Sequence, residues 1–287
     1  MLRNTKDLAG YAVEATDGTI GQVEDFYFDD QKWVVRYLVV DAGSWLSRRK
    51  VLISPISFGQ PDWPQEKLSV SLTKEQVKNS PDIDTDKPVS RQHEMSFFGY
   101  YGYPYYWGGG GLWGGGLYPN MMLPGYGGFG SLNATALEEG NAYARTEAAR
   151  AEGARHEDDD PHLRSGKAVE GHHIHASDGE IGHVQGLLVD DETWSVRYLV
   201  VDTSNWWGGH EVLVAPQWIV GIDWHEETVA VNLTRQAVKD APPYDSKAPL
   251  DRQQEIATYQ HYGRPGYWTG DAKGAADMSR VQTRRTP

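Results

Sequence analysis

Histidine side chains cluster in the second half of the chain, where they could bind a metal ion. His173 and His175 are two residues apart, and His183 follows shortly after. On a β-strand, side chains two positions apart point to the same side, so the first two imidazoles would be neighbours. Imidazole nitrogens arranged in this way can bind zinc, copper or nickel. These three residues are weak metal candidates, since a polar strand edge beside an acidic segment would have the same composition.

Two aspartates could act as general bases. Asp41 and Asp202 each end a strongly apolar segment, a position from which a carboxylate can face a cleft. Ser44 and Ser47 follow Asp41, whereas the corresponding positions after Asp202 hold Asn and Gly. Because no nucleophile accompanies both aspartates, we predict that each accepts backbone N–H groups in its loop. We predict no catalytic residue, and a hydrolase that uses Asp41 or Asp202 is the alternative.

Arg36 and Arg197 lie inside the same two apolar segments. An arginine in such a strand predicts a buried or half-buried ion pair. Glu24, Asp25 and Asp41 are candidate partners of Arg36, but the second half has glycine in place of Asp25, so the partner stays open. The predicted structural core that both halves share contains Arg36, Asp41, Arg197 and Asp202.

Large apolar side chains surrounded by small polar residues are the candidates for binding a partner, because this composition is common at protein interfaces. The candidates are Trp45, Leu46, Trp206, Trp207, Tyr106, Trp107, Tyr267 and Trp268. One alternative is that the tryptophans of the loops close the ends of their own domains. Another is that the two aromatic strips pack back onto the domains that precede them.

These features come in pairs because the sequence contains an internal repeat. Gly10 aligns with Gly171, and the register continues without a gap until Trp107 meets Trp268. The segment Val-Arg-Tyr-Leu-Val-Val-Asp is identical at 35–41 and 196–202. We therefore expect both halves to fold alike.

The repeat weakens the case for a metal site. Ala12 and Glu14 occupy the positions that His173 and His175 hold in the second half. A site that is missing from one copy is not what the duplicated fold is for, so we predict neither a dedicated metal site nor a cofactor.

The residue pattern of each half predicts β-strands followed by short helices. Apolar and β-branched segments stop at the turn pairs Asp29-Asp30 and Asp190-Asp191, which indicates a hairpin in each half. The strands expected in the first half are 20–28, 33–40, 51–53 and 67–72. Thr73 and Gln76 have the spacing of a capping box, and further helices are expected at 90–98 and 251–259.

The fold class that follows is mainly β, with two small barrels related by internal duplication. The segment after the first barrel is rich in Gly, Tyr and Trp, and then becomes rich in Ala and in acidic residues. We expect a linker there, with a short helix at 134–154. The predicted boundaries are a first barrel with trailing helices at 1–98, the linker at 99–161, a second barrel with trailing helices at 162–268 and a disordered tail at 269–287.

Both halves resemble the PRC-barrel domain. The residues that carry the resemblance are Asp17-Gly-Thr-Ile-Gly21, Val35 to Asp41, Trp45 and Val51-Leu-Ile-Ser-Pro55, with a similar set at 178–216. This family includes the cytoplasmic barrel of the photosynthetic reaction-centre H subunit and the C-terminal barrel of RimM-type ribosome-maturation factors. The resemblance implies a small β-barrel that docks other proteins, and a tandem member of the family.

Composition limits the classes of partner. The 287 residues include no cysteine, and 40 acidic against 27 basic residues give a net charge of -13. Such a charge opposes binding to nucleic acid, and no apolar run is long enough to form a membrane anchor. We predict a cytoplasmic, non-catalytic binding or scaffold protein with an unidentified protein partner, in which the two barrels pack as a pseudo-dimer and further homo-oligomers are allowed. A role in assembly or proton transport like that of the H subunit is the alternative.

Overall fold

The computed structural model describes residues 1–47, 49–83, 89, 91–107, 110–122, 162–203 and 209–270. The chain divides into two compact units. The first comprises Met1–Glu170 and Gly186–Tyr198, and the second comprises Gly171–Gln185 and Leu199–Pro287. The predicted helix at 134–154 and nearly all of the predicted tail lie outside the described residues.

The described chain is mainly β, as predicted, with two sheets and few helices. The strands of the first half are β1 (Leu2–Asn4), β2 (Ala12–Ala15), β3 (Gly18–Asp29), β4 (Val34–Asp41), β5 (Lys50–Ile53) and β6 (Lys67–Ser69). Those of the second half are β7 (Leu163–Ser165), β8 (His173–Ala176), β9 (Gly179–Asp190), β10 (Val196–Asp202), β11 (Glu211–Val214), β12 (Ile219–Asp223) and β13 (Thr228–Val231).

The helices are short and follow the same order in both halves. They are α1 (Thr5–Leu8), α2 (Lys74–Lys78), α3 (Arg91–Tyr101), α4 (Gly166–Val169), α5 (Arg235–Lys239) and α6 (Arg252–His261). The predicted capping box opens α2, where Thr73 and Gln76 exchange hydrogen bonds. In α5 only Thr234 caps the helix, because Ala237 replaces the glutamine.

The strands form two sheets by hydrogen bonding. One has the order β5-β4-β3-β2-β6, with β7 also paired to β3, and the other has the order β11-β10-β9-β8-β13-β12, with β1 paired to β9. Within the described residues neither order returns to its first strand, so the strands form open sheets rather than the closed barrels that the sequence predicts.

The long hairpin β3–β4 supplies a large part of the first core. Its turn forms because Asp29 Oδ1 accepts the backbone N–H groups of Gln31 and Lys32 at 2.9 and 3.1 Å, while Trp33 takes a positive φ of 54°. Strand β4 is buried at every position except Asp41, which agrees with its apolar residues on both faces. The register shifts between Tyr27 and Phe28, leaving Arg36 as the extra residue of a β-bulge.

The first strand of each half pairs with the long strand of the other half. Strand β1 lies against β9 with Arg3 opposite Val189, and β7 lies against β3 with Arg164 opposite Phe28. Both pairings are antiparallel and lie inside the first unit. The alignment of the two halves did not predict that the first strand of each half would pair with the other half.

Part of the predicted linker packs on the first unit. Tyr103, Tyr106 and Trp113 are 8%, 1% and 0% exposed, and the 3-10 helix Pro119–Met122 contacts the 3-10 helix Pro55–Ser57. The aromatic rings of this segment therefore belong to a core, although its glycine content is typical of a linker.

Candidate interaction surface and buried polar clusters

Arg36 is the centre of a buried cluster in the first unit. Its side chain is fully buried, and its Nη2 donates to Asp29 Oδ2 at 2.9 Å. Its Nη1 donates to the Leu112 carbonyl oxygen at 2.7 Å. The guanidinium carbon lies 3.8 Å from the ring centroid of Tyr106 and 4.8 Å from that of Trp113. A buried guanidinium needs such partners, because an unpaired buried charge is strongly destabilising.

The partner of Arg36 is thus Asp29, which was not among the three predicted candidates. Glu24 instead pairs with Lys50 at 2.8 Å, and Asp25 accepts the hydroxyl of Ser165. Burial alone would raise the pKa of Asp29, but the Arg36 guanidinium and the turn N–H groups outweigh it and hold that pKa below its ordinary value.

Asp41, the third candidate, accepts the backbone N–H of Gly43 at 2.8 Å. Its counterpart Asp202 lies 3.8 Å from the Nε2 atom of His183. Asp41 is exposed at the end of its strand. The hydrogen bond from the N–H of Gly43 to the side chain of Asp41 is that of an Asx turn, which fixes the loop.

A second buried cluster surrounds Glu94 of α3. Its Oε1 atom accepts the hydroxyls of Tyr37 at 3.1 Å and of Tyr106 at 2.6 Å, and its Oε2 atom lies 2.8 Å from Nε2 of His162. Glu94 is fully buried, and His162 is 11% exposed. Tyr106, a predicted partner-binding residue, is therefore placed in the interior.

These two clusters hold the aromatic segment on the first sheet. Arg36 contacts the backbone at Leu112 and the ring of Trp113, whose Nε1 donates to the Thr193 carbonyl oxygen at 2.8 Å. Glu94 binds Tyr106 from α3. Because these groups are buried and bonded to one another, they stabilise the fold.

The second half makes equivalent pairs, in which the arginines remain partly exposed. Arg197 pairs with Asp190 at 3.2 Å and is 19% exposed. Glu255 accepts the hydroxyl of Tyr267 at 2.8 Å and lies 3.2 Å from Arg252. The Arg252 guanidinium also lies 4.6 Å from the ring centroid of Trp268, which is 5% exposed.

The sequence carried a signal for these pairs. Asp29 and Asp190, and likewise Glu94 and Glu255, occupy equivalent positions in the two halves. Asp29 was interpreted only as a turn residue, and the bulge that places Arg36 near it cannot be deduced from alternation along the strand.

An exposed surface forms around α2, and we call it the α2 surface: Trp45, Leu46, Lys74, Gln76 and Tyr100. Trp45 is half-buried, and its Nε1 donates to the Ile20 carbonyl oxygen. The ammonium group of Lys74 lies 4.4 Å from the centroid of the Trp45 ring. Tyr100 is 41% exposed, and its hydroxyl donates to the Gln76 carbonyl oxygen at 2.8 Å. Hydrogen bonds thus hold both aromatic side chains in place, and the Trp45 ring lies beside a cation.

The second half repeats the backbone contacts of this surface with different side chains. His261 lies 2.7 Å from the Ala237 carbonyl oxygen, where the first half uses Tyr100. His210 lies 3.3 Å from the Ala241 carbonyl oxygen, and Arg49 contacts the equivalent Ser80. Trp206 and Trp207 lie outside the described residues, and Trp107 is half-buried.

The metal candidates lie apart from these clusters. His173 and His175 are both exposed on β8, and Nδ1 of His173 lies 2.8 Å from Glu180. His183 is half-buried near Asp202. In the part of the chain that the structure describes, no three His, Asp or Glu side chains come together in a group suited to a metal ion.

Comparison with known proteins gives a family match within the first half of the chain. Residues 3–65 match the PRC-barrel domain. An uncharacterized protein of Deinococcus radiodurans is 33% identical over 89 residues, which are 31% of each chain. The chain thus spans about a third of the length of this relative. Among the described residues, no helix has the length and apolar character to cross a membrane.

Proposed function

We propose that the protein is a non-catalytic binding or scaffold protein that acts through protein–protein contacts. The match of residues 3–65 to the PRC-barrel domain carries this proposal, because it points to a binding or scaffold role at the level of the family. A role like that of the reaction-centre H subunit stays a prediction.

The α2 surface is the contact region that we propose. Trp45 and Tyr100 are held by hydrogen bonds from their polar atoms to backbone oxygens, so little side-chain entropy is lost when a partner covers them. Leu46 is half-exposed beside Trp45, and Lys74 adds a positive charge. Tryptophan and tyrosine are among the residues that most often dominate binding energy at interfaces.

Leu46→Asp tests this surface. We expect the purified variant to lose a partner that the wild-type chain captures from a lysate of its source cells, because a charge replaces apolar contact area. Trp45 is less suitable for the test, since its internal hydrogen bond links it to stability. Captured proteins are compared by quantitative mass spectrometry after cross-linking.

Leu117→Asp is the matched control, since Leu117 is 47% exposed and lies outside the α2 surface. It should leave capture unchanged, and both variants should unfold at the wild-type temperature. Equal capture by wild type and Leu46→Asp would reject the α2 surface. Turnover of an ester, phosphate or glycoside substrate that Asp41→Asn or Asp202→Asn abolishes would reject a non-catalytic role.

A further inference from the structure

The two exchanged strands have a common design. Each begins with leucine and arginine, and each ends in a polar residue that caps a helical turn. Asn4 Oδ1 accepts the N–H of Lys6 at 3.0 Å, and Ser165 Oγ accepts the N–H of Ala168 at 3.2 Å. The chain therefore contains two versions of one docking element, a short strand followed by a capped turn.

The edges of β3 and β9 that these short strands join are also equivalent. Arg164 Nε lies 3.0 Å from Asp30 Oδ2, and Arg3 Nε lies 3.4 Å from Asp191 Oδ2. All four side chains are mostly buried, with Arg3 the most exposed at 26%. Asp30 and Asp191 each directly follow the long strand of their half, so the same ion pair is made twice, once in each direction.

Backbone hydrogen bonds near the two hairpin turns are also made once in each direction. The N–H of Val35 donates to the Trp194 carbonyl oxygen at 2.8 Å, and the N–H of Val196 donates to the Trp33 carbonyl oxygen at 2.7 Å. Each bond joins one half to the other. Such reciprocal, self-complementary contacts are the defining property of an isologous interface between two copies.

We propose that this chain exchanges halves with a second copy of itself. In the exchanged dimer, β7 of one chain lies on β3 of the other, and β1 lies on β9 in the same manner. The strand pairings and ion pairs between the halves are the same in the dimer as in the single chain. Each of them joins a first half to a second half, and these halves can belong to one chain or to two. The choice between the two forms then depends on protein concentration, because only the dimer needs two chains to meet. This proposal does not depend on the α2 surface.

Charge-reversal variants distinguish the exchanged dimer from the single chain. One full-length variant carries Arg3→Glu and Arg164→Glu, and a second carries Asp30→Arg and Asp191→Arg. Within either variant both Arg–Asp pairs become like-charge contacts, whereas a mixed dimer places opposite charges together again at each of these contacts. Asp191→Arg removes the contact of the Met1 ammonium group with that aspartate in the single chain and in the mixed dimer alike. We expect each variant alone to be monomeric in size-exclusion chromatography with light scattering. An equimolar mixture at about 100 µM should contain a dimer with one copy of each chain.

A chain with all four substitutions is the control, and it should be monomeric because its ion pairs are restored within one chain. The same experiment with Glu24→Lys and Lys50→Glu should give no mixed dimer, since that pair lies within one half. A mixture that contains only monomers would overturn the proposal.

Wild-type protein provides a second measurement, in case the charge-reversed variants do not fold. Two differently tagged wild-type chains are unfolded together in urea and refolded at about 0.5 mM, because a high protein concentration favours pairing between chains. Capture through one tag should recover the other tag in a dimer. Recovery of one tag only would overturn the proposal.

Discussion

The two halves place the same arginine in different environments. Arg36 is fully buried under Tyr106 and Trp113, whereas Arg197 remains 19% exposed, although each pairs with the aspartate of its own hairpin turn. The difference comes from the aromatic segment that follows α3 and covers Arg36. Identical strands therefore do not give identical burial, because burial depends on what packs over them.

Replacing each arginine by methionine tests this comparison most strongly. Arg36→Met leaves Asp29 buried without its counter-charge, which is expected to cost about 3 to 5 kcal/mol. Arg197→Met removes a more exposed pair and should cost about 1 kcal/mol or less. Urea unfolding of each variant measures the difference. Equal losses would show that the aromatic cover does not make the arginine more important.

Glu94 and Glu255 provide a second, smaller contrast. Glu94→Gln removes the charge that Tyr37, Tyr106 and His162 share in a buried site, and we expect a loss of about 1.5 to 3 kcal/mol. Glu255→Gln should lose less, because its cationic partner Arg252 is 39% exposed. Thermal unfolding followed by circular dichroism measures both. A larger loss for Glu255→Gln would contradict the contrast.

His172 and Tyr11 occupy equivalent positions and should differ in pH dependence. His172 is 3% exposed, and neither ring nitrogen has a hydrogen-bond partner among the described residues. Burial lowers the pKa of His172, and the opposing effect of Glu227 is smaller. The unfolded chain therefore binds the proton more readily, so stability falls as the pH drops through about 6.5.

His172→Tyr introduces the residue of the first half and should reduce this loss. Unfolding free energies at pH 7.5 and about pH 5.5 measure the effect for wild type and variant. The same pH slope in both proteins would exclude His172 as its source.

The helix caps give the smallest expected difference. Gln76→Ala in α2 copies Ala237 of α5, so it converts a full capping box into the half box of the second half. We expect a loss of about 0.5 kcal/mol, because one exposed hydrogen bond is removed. Thr73→Ala should cost about 1 kcal/mol, and Thr234→Ala a similar amount. Repeated urea unfolding measurements resolve these values. No loss of stability for Gln76→Ala would show that the glutamine half of the capping box does not stabilise the helix.

Local patterns in the sequence predicted the local structure. The turn at Asp29, the apolar strand that ends at Asp41 and the cap at Thr73 each follow from residues that are close together in the chain. The predicted strand at 67–72 is shorter in the structure and ends at Ser69.

Contacts between distant residues could not be predicted in this way. Strand β1 has only three residues, too few for a periodic pattern, so its pairing with β9 was not foreseen. The bulge at Arg36 changes the face of the strand on which its side chain lies. The burial of Trp113 depends on packing against Thr193, whereas the glycines around it favour a linker.

Amide hydrogen exchange tests most directly the claim that the first strand of each half belongs to the sheet of the other half. In the folded chain, peptides that cover Leu2–Asn4 and Leu163–Ser165 should be protected to a similar degree as the ends of β9 and β3 that they join. Exchange of both short strands at the rate of an unstructured peptide, while β3 and β9 stay protected, would contradict the reciprocal pairing.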